Sequence, residues 1–214
     1  MWVLIVLGTK RSYPEVFAEG VACWIAGRVE VDDISYLKLK LGVEVLFIDL
    51  TKGLVVYGLA ILLGMFVSAL IVHLSYLALR RCSFGLHAKS SFNCTIVSVV
   101  MFIALPYVVR NWVLDFRWIF LLFTVSTCCF FLYAPADTEK NPLIGKERRL
   151  KLRNRAVFSC LALMGVTFMV PNYEVRVLII LGVVLQVVMI LPLTYKMLGR
   201  SYQNYEKAAE RIYG

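Results

Sequence analysis

Charged residues are scarce in this sequence. Asp, Glu, Lys and Arg make up 17% of its 214 residues, whereas 60% of the residues are hydrophobic. A soluble domain carries about 25% charged residues and has too little interior to bury so large an apolar surface. The scarcity of charge therefore excludes a soluble enzyme, a disordered chain and a small secreted scaffold. It predicts an all-α integral membrane protein whose apolar surface faces lipid.

Several other classes of protein are excluded because the residues typical of them are few or scattered in this sequence. The six cysteines are too dispersed for a disulfide framework, and there are only two histidines. Cys82, His87 and Cys94 lack the spacing of a zinc site, so neither a metal nor another cofactor is expected. The acidic residues are too sparse for a metal-dependent lipid-headgroup transferase. The absence of internal repeats and of paired broken helices argues against a transporter.

Basic residues are in excess, and most of them lie in short connections between apolar runs. The formal net charge is +9. Residues 80–93 contain three basic residues and no acidic one, and residues 135–155 contain seven basic and three acidic residues. The connections at 110–117 and 171–176 are nearly neutral. This alternation follows the positive-inside rule, so it predicts that the basic loops and the C-terminus lie in the cytoplasm. Because membrane topology explains the positive charge, no nucleic-acid partner is expected.

The apolar runs predict about six transmembrane helices. Four of them are residues 92–109, 118–134, 156–170 and 175–198. Residues 53–79 contain His73 as their only ionisable group, and the preceding residues 41–52 are also largely apolar. A hairpin that turns near Gly64 is favoured, because it returns Arg80 to the cytoplasmic side shared by the N-terminus. The alternative, one long tilted span, would place the N-terminus outside.

The same patterns divide the chain into three regions. Residues 1–40 are predicted to form an N-terminal arm and amphipathic interfacial helices, residues 41–198 a polytopic membrane domain, and residues 199–214 a cytoplasmic tail. In the first region, apolar residues recur at helical spacing in two stretches, one containing Phe17 and the other Leu37. Such helices lie on the membrane surface or pack on the cytoplasmic end of the bundle.

The candidate catalytic residues lie in residues 80–94, RRCSFGLHAKSSFNC. A cysteine nucleophile needs a stabilised thiolate, which an imidazole and a helix N-terminus can both provide. In an unbroken helix, His87 and Cys94 would lie about 10.5 Å apart along the axis, too far for a hydrogen bond. Ser90 and Ser91 are good N-cap residues, so we expect a helix to begin there, with Cys94 in its first turn and His87 in the preceding loop. The alternatives are a packing cysteine and a solvated histidine.

This segment resembles the catalytic segment of the accessory gene regulator B family, the membrane cysteine endopeptidases of Gram-positive quorum sensing. The resemblance rests on residues in matching order: Arg80, Arg81, Gly85, His87, Ala88, Ser90, Ser91, Phe92 and Cys94. It extends to residues 39–42 upstream and 133–137 downstream, and it covers roughly residues 20–198. The sequence departs from the family pattern at Leu86, where members often carry a small residue, and in its first dozen or so residues.

The resemblance implies a substrate and a mechanism. The substrate is a quorum-sensing propeptide with an amphipathic leader, a central signal sequence and an acidic C-terminal tail. Cys94 would attack the peptide bond before the tail, with His87 as general base and then general acid, and would form an acyl-thioester. A Cys or Ser side chain of the substrate would then displace the enzyme and close a thiolactone or lactone ring. A homodimer is also implied. The alternative function is a non-catalytic small transporter or assembly partner.

A basic cluster offers a binding site for the acidic tail of the propeptide. Charge complementarity assigns this role to Lys146, Arg148, Arg149 and Lys151. Charge that only sets topology explains the same cluster. Membrane lipid is the other expected partner, because the amphipathic leader and the interfacial helices share one membrane plane. Asp137 and Glu139 lie in a cytoplasmic loop that can fold near His87, although no motif makes either of them a third catalytic residue.

Overall fold

Helices form the regular structure of this protein. The computed structural model describes residues 13–28, 32–86, 91–138, 143 and 145–206. Its elements are α1 (Tyr13–Ala26), α2 (Asp33–Leu62), α3 (Phe66–Ser83), α4 (Ser91–Val99), a π-helical turn (Val100–Ala104), α5 (Leu105–Val109), α6 (Phe116–Tyr133), α7 (Lys146–Met169), α8 (Tyr173–Ile190) and α9 (Pro192–Met197). The all-helical class predicted from the sequence is confirmed for the described residues.

The chain divides into two compact units, Met1–Gly58 and Leu59–Gly214, and α2 runs through the boundary between them. The sequence predicts a border between interfacial helices and membrane domain at residue 40, but α2 continues past this point. No proline interrupts residues 33–62, and a helix tolerates Gly42, so nothing there ends the helix. The second amphipathic stretch therefore forms the start of a long helix.

In the first unit, α1 packs against the beginning of α2. Lys40 Nζ lies 3.3 Å from a carboxylate oxygen of Glu19. The rings of Phe17 and Phe47 have their centroids 4.5 Å apart. Trp24 remains exposed on α1. This unit therefore offers an apolar surface of the kind that binds to a membrane interface.

The second unit has a core of four helices, in which α3 and α8 pack together and α6 and α7 pack against them. Gly182 lies where α8 approaches α3 most closely. A Cβ atom at Gly182 would lie 2.7 Å from the carbonyl oxygen of Val72 and 2.7 Å from Cβ of Ser75. Small residues at such crossings let membrane helices pack backbone to backbone. The core includes Leu79, Phe123, Phe130, Cys160, Val183 and Ile190.

A glycine turn separates α2 from α3. Helix α2 ends at Leu62, α3 begins at Phe66, and Gly64 between them has φ +66°. This left-handed conformation is one that glycine adopts without steric penalty. The helix therefore breaks near Gly64, as predicted, and the hairpin of two spans stays a prediction.

Three helical segments of the described chain are long and apolar enough to cross a membrane: Ser35–Leu62, Phe116–Tyr133 and Tyr173–Ile190. Helix α3 carries Arg80 and Arg81 in its last turn, and α7 begins with a charged segment. These two helices are therefore less uniformly apolar than the other three. The number of about six spans stays a prediction.

In two of the predicted spans, residues 92–109 and 175–198, the regular α-helix is interrupted near a proline. Helix α4 passes through the π-helical turn into α5, where Pro106 lies in the first turn. Proline lacks an N–H group and crowds the carbonyl four residues earlier, which explains a π-helical turn at this point. The run predicted at 175–198 is interrupted at Leu191, which has extended dihedral angles (φ −64°, ψ 133°) and precedes Pro192. Its two parts are α8 and α9.

Candidate functional site

A tight turn at the end of α3 leads into the predicted catalytic loop. We call residues 84–86 the active-site turn. Phe84 and Gly85 both have positive φ, at 55° and 112°. The Arg80 side chain caps the turn: Nη1 donates to the carbonyl oxygen of Phe84 at 2.8 Å, and Nη2 donates to those of Gly85 at 3.2 Å and Leu86 at 2.7 Å. One guanidinium therefore fixes three consecutive carbonyl groups.

Backbone hydrogen bonds tie the active-site turn to two other parts of the chain. The N–H of Ala136 donates to the carbonyl oxygen of Ser83 at 2.9 Å, and the carbonyl oxygen of Ala136 accepts from the N–H of Gly85 at 2.8 Å. The N–H of Leu86 donates to the carbonyl oxygen of Met189 at 3.1 Å. The turn is therefore held by the loop after α6 and by the end of α8.

Close packing explains why position 85 is a glycine. A Cβ atom at Gly85 would lie 2.6 Å from the carbonyl oxygen of Met189 and 2.8 Å from Nη1 of Arg80. Real Cβ atoms do not approach other atoms so closely. The next residue, Leu86, departs from the small residue that the family resemblance implies. Its side chain is buried in the hydrophobic core.

Gln186 of α8 supports the turn from inside the core, and the sequence interpretation missed it. Its side chain has no exposed surface. Nε2 donates to Oγ of Ser83 and to the carbonyl oxygen of Phe84, both at 2.6 Å, whereas Oε1 has no hydrogen-bond partner in the structure. A buried oxygen without a hydrogen bond costs free energy of folding. The sequence does contain a signal for this residue, because Gln186 is an amide side chain within a long apolar run.

Cys94 lies in the first turn of α4, which begins at Ser91. Residues 87–90 lie outside the described part of the chain, so the predicted helix start at Ser90 and Ser91 stays a prediction. The Cys94 side chain is half-buried, and its carbonyl oxygen accepts a hydrogen bond from Oγ of Ser98 at 2.9 Å. His87 and Ser90 lie outside the described residues. The pairing of His87 with Cys94 therefore stays a prediction, although His87 is bonded directly to Leu86 of the active-site turn.

Aromatic side chains from α3 and the π-helical turn pack against one another. The Phe102 ring centroid is 4.5 Å from that of His73 and 5.5 Å from that of Tyr76. Tyr76 is within electrostatic range of both Arg80 and Cys94. His73 thus packs on an aromatic ring.

A groove of about 740 Å³ opens at the start of α7. We call it the basic groove; it is lined by Gly145, Lys146, Glu147, Arg148, Lys151, Leu152 and Arg155. Three of the four predicted tail-binding residues thus share one groove. Arg149 does not line it, because its guanidinium carbon lies 3.1 Å from the ring centroid of Tyr205. Arg155, at the end of the basic segment considered from the sequence, also lines the groove, and helical spacing from Arg148 and Lys151 places all three on one side of α7.

A second cavity, of about 380 Å³, lies near the end of α3 and shares Arg155 with the basic groove; Cys82 and Phe158 also line it.

Asp137 is buried, and both of its carboxylate oxygens accept hydrogen bonds from backbone N–H groups. Oδ1 accepts from Asn204 at 3.0 Å and Oδ2 accepts from Leu143 at 3.4 Å. Glu139, the other acidic residue considered from the sequence, lies outside the described residues. Within the described part of the chain, no cluster of three His, Cys, Asp or Glu side chains is arranged to hold a metal ion.

Comparison with known proteins identifies the family. The sequence model described as "Accessory gene regulator B" matches residues 19–190. A "Putative AgrB-like protein" of Listeria innocua is 46% identical over 177 residues, which cover 82% of this chain and 86% of the relative. A protein of the same description from Clostridium acetobutylicum is 35% identical over 196 residues, covering 92% and 94%. The "Accessory gene regulator protein B" of Staphylococcus intermedius is 36% identical over 176 residues, covering 82% and 92%. No solved structure matches the chain. From its helical fold, its apolar segments and these matches, we conclude that the chain is a membrane protein that belongs to the accessory gene regulator B family.

Proposed function

We propose that this protein is a membrane-embedded cysteine endopeptidase that removes the C-terminal tail of a quorum-sensing propeptide and closes the remaining peptide into a ring. Cys94 is the nucleophile and His87 the general base. The observation that carries the proposal is the position of Cys94, half-buried in the first turn of α4. Only residues 87–90 separate this helix from the active-site turn. Backbone N–H groups at a helix start favour a negatively charged sulfur.

The reaction has two acyl-transfer steps. His87 takes the proton of the Cys94 thiol, and the sulfur attacks the carbonyl carbon before the propeptide tail. The C–N bond breaks, His87 returns the proton to the leaving amine, and an acyl-thioester remains on Cys94. A Cys or Ser side chain of the substrate then attacks the same carbon, and the bond to Cys94 breaks. The products are a thiolactone or lactone ring and the free Cys94 thiol.

The second step depends on positioning and on the exclusion of water. Exchange of one thioester for another changes the free energy little, so the enzyme acts mainly by holding the attacking side chain near the carbonyl carbon. Tyr76 and Phe102 pack edge-on, with ring centroids 5.5 Å apart, and form an apolar wall in the helix bundle. By limiting water, such a wall favours ring closure over hydrolysis.

The acidic tail and the amphipathic leader of the propeptide have separate binding regions in this proposal. The basic groove presents Lys146, Arg148 and Lys151 to the tail. These side chains are exposed, so they attract the tail electrostatically rather than through a rigid pocket. The leader lies in the membrane surface beside α1, where a shared plane raises its local concentration. The protein acts in the cell membrane, as a homodimer, with the catalytic loop, the basic groove and the C-terminus on the cytoplasmic side.

Mass spectrometry tests the nucleophile. A test propeptide with an amphipathic leader, a central segment containing one cysteine and an acidic tail is co-expressed with wild type, Cys94→Ala and His87→Ala. We expect wild type to release the tail and both variants to leave it attached. Cys129→Ala is the matched control, since Cys129 is also half-buried in a helix. Release of the tail by Cys94→Ala would contradict the proposal and favour a non-catalytic role.

Cysteine labelling tests the orientation. Lys89→Cys, in a background without the other accessible cysteines, is treated in intact cells with a membrane-impermeant maleimide. We expect no labelling until the cells are opened, because Lys89 lies in the loop proposed to face the cytoplasm. Labelling in intact cells would reverse the assigned orientation.

A further inference from the structure

The end of the chain folds back onto the loop that holds the active-site turn. We call residues 201–206 the strap. The N–H of Asn204 donates to Oδ1 of Asp137 at 3.0 Å. Just before the strap, the Tyr195 hydroxyl donates to the backbone carbonyl oxygen of Asp137 at 3.0 Å. Asp137 and Asn204 are 3% and 6% exposed. The contact is therefore an internal one, with the polar groups of both residues removed from water.

Ring contacts fix the strap on either side of this hydrogen bond. The Tyr202 ring packs edge-on against Tyr195, with centroids 5.1 Å apart. The guanidinium of Arg149 lies 3.1 Å from the Tyr205 ring centroid, and its buried Nε has no hydrogen-bond partner in the structure. Stacking on the aromatic ring is therefore what holds Arg149 there. Burial raises the pKa of the Tyr202 phenol above its ordinary value, so the ring packs as a neutral group.

Ala136, the residue before Asp137, connects it by hydrogen bonds to the active-site turn that precedes His87. Ala136 donates to the carbonyl oxygen of Ser83 at 2.9 Å and accepts from the N–H of Gly85 at 2.8 Å. A shift of Asp137 moves Ala136, and a shift of Ala136 strains both of these hydrogen bonds. The strap, Asp137 and the active-site turn therefore form one connected hydrogen-bonded path.

We propose that the strap positions the active-site turn and that Asp137 is its latch. Asp137 is then a positioning residue rather than the third member of a catalytic triad. The inference rests on the proposed function of His87 and Cys94. It assigns a catalytic contribution to the C-terminal segment of the chain, which the sequence interpretation treated only as a cytoplasmic tail.

The chemistry of the latch explains why a carboxylate is needed there. Its two oxygens accept from two different backbone N–H groups, one in the loop at Leu143 and one in the strap at Asn204. An asparagine side chain has only one acceptor oxygen, so its amide nitrogen would face one of these N–H groups. Asp137→Asn therefore weakens the latch with almost no change in side-chain volume.

Two strap variants separate the backbone hydrogen bond from the side chain of Asn204. Asn204→Pro removes the N–H that donates to Asp137. Asn204→Ala keeps this N–H and removes only the side-chain bond from Nδ2 to the carbonyl oxygen of Ser201, which is 2.9 Å long. We expect Asn204→Pro to lower the rate of tail release at saturating test propeptide by roughly tenfold, with KM unchanged, because small displacements of catalytic groups slow chemistry steeply. Asn204→Ala should stay within about twofold of wild type, since it leaves the latch bond in place.

A double-mutant cycle distinguishes a latch from a catalytic aspartate. If Asp137 acts through the strap, Asp137→Asn and Asn204→Pro combined should lower the rate little more than the larger single effect, because both break the same contact. A combined loss equal to the product of the two single losses would overturn the proposal. So would an Asn204→Pro enzyme that cleaves at the wild-type rate.

Hydrogen exchange tests the latch without reference to catalysis. In purified full-length protein, Asn204→Pro should speed amide exchange at Gly85 and Leu86, whereas Asn204→Ala should not. Unchanged exchange in Asn204→Pro would overturn the proposal even if cleavage fell. Cys94→Ala should abolish cleavage and leave this exchange unaltered. Cleavage by Cys94→Ala would refute the proposed function, and the exchange result would still decide whether the strap holds the turn.

Discussion

The active-site turn and the basic groove are constructed in opposite ways. In the turn, Arg80 caps three carbonyl groups, and the N–H groups of Gly85 and Leu86 both donate to other segments. The basic groove instead consists of exposed side chains at the start of one helix. A catalytic loop depends on the positions of single atoms, whereas electrostatic attraction for a charged tail tolerates movement. The turn should therefore be sensitive to conservative substitutions and the groove should not.

The largest effect is expected for Gly85→Ala. The new Cβ atom would lie 2.6 Å from the carbonyl oxygen of Met189, and φ +112° is strained for alanine. The turn must move, so tail release should fall more than roughly a hundredfold. Gly165→Ala is the control, because no atom lies within 4 Å of its new Cβ and it should behave as wild type. A Gly85→Ala enzyme within twofold of wild type would mean that the turn is not critical.

A smaller loss is expected for Arg80→Lys. Lysine keeps the positive charge, but its single ammonium group cannot replace the planar guanidinium, which donates to the carbonyl groups of all three turn residues. The cleavage rate should fall roughly tenfold, with a much smaller change in KM, because the turn becomes less well positioned. Arg81→Lys is the matched control, since Arg81 is the exposed neighbour and makes none of these contacts. Wild-type activity in Arg80→Lys would assign the role to charge alone, and equal losses in the two variants would show that the three hydrogen bonds of Arg80 are not the cause.

Gln186→Met should lower the cleavage rate without lowering the stability of the fold. After this change, Oγ of Ser83 still donates to a backbone carbonyl group of α3, and the carbonyl oxygen of Phe84 still accepts from Arg80. The unsatisfied Oε1 is removed, so the free energy of unfolding should not decrease and can increase by about 1 kcal/mol. Cleavage should still fall about three- to tenfold, because the turn loses the hydrogen bond from Gln186 to the carbonyl oxygen of Phe84, and the adjacent Ser83 loses its own. Val183→Ala, in the same core, should do the reverse by lowering the melting temperature with little effect on the rate at permissive temperature. A melting temperature that falls in Gln186→Met would indicate a purely structural role.

The smallest effect per residue is expected in the basic groove. Replacing Lys146, Arg148 and Lys151 together by glutamine should raise KM roughly five- to tenfold and leave the maximal rate unchanged, because each exposed ion pair contributes about 0.2–1 kcal/mol. The difference from wild type should shrink at high salt, where exposed charges are screened. Arg149→Gln should instead lower the rate independently of salt, because Arg149 contacts the strap. A wild-type KM that does not rise with salt, or a difference from the triple variant that stays constant at high salt, would argue against tail binding in the groove.

Local features of the site were predictable from the sequence because they depend on neighbouring residues. The helical conformation of residues 91–99 follows from an apolar run, and the turn at Gly64 follows from a glycine between apolar runs. The grouping of Lys146 and Arg148 likewise follows from their closeness in the chain.

Long-range features were not predictable from local patterns. Gln186 contacts residues about a hundred positions earlier in the chain, and Asn204 contacts Asp137. Arg149 was grouped with its neighbours by charge, but helical geometry directs it towards Tyr205. The extent of α2 was also missed, because amphipathic and apolar stretches join without a helix-breaking residue.

The most direct test of the central claim is detection of the acyl-thioester on Cys94. A test propeptide whose ring-forming cysteine is replaced by alanine cannot complete the second step, so the first intermediate should accumulate. Intact-mass measurement of the purified enzyme should then show an adduct equal to the propeptide without its tail, located at Cys94 and released by hydroxylamine. Cys94→Ala should carry no adduct and should not release the tail. Tail release by Cys94→Ala, or a wild-type adduct located at another residue, would contradict the account.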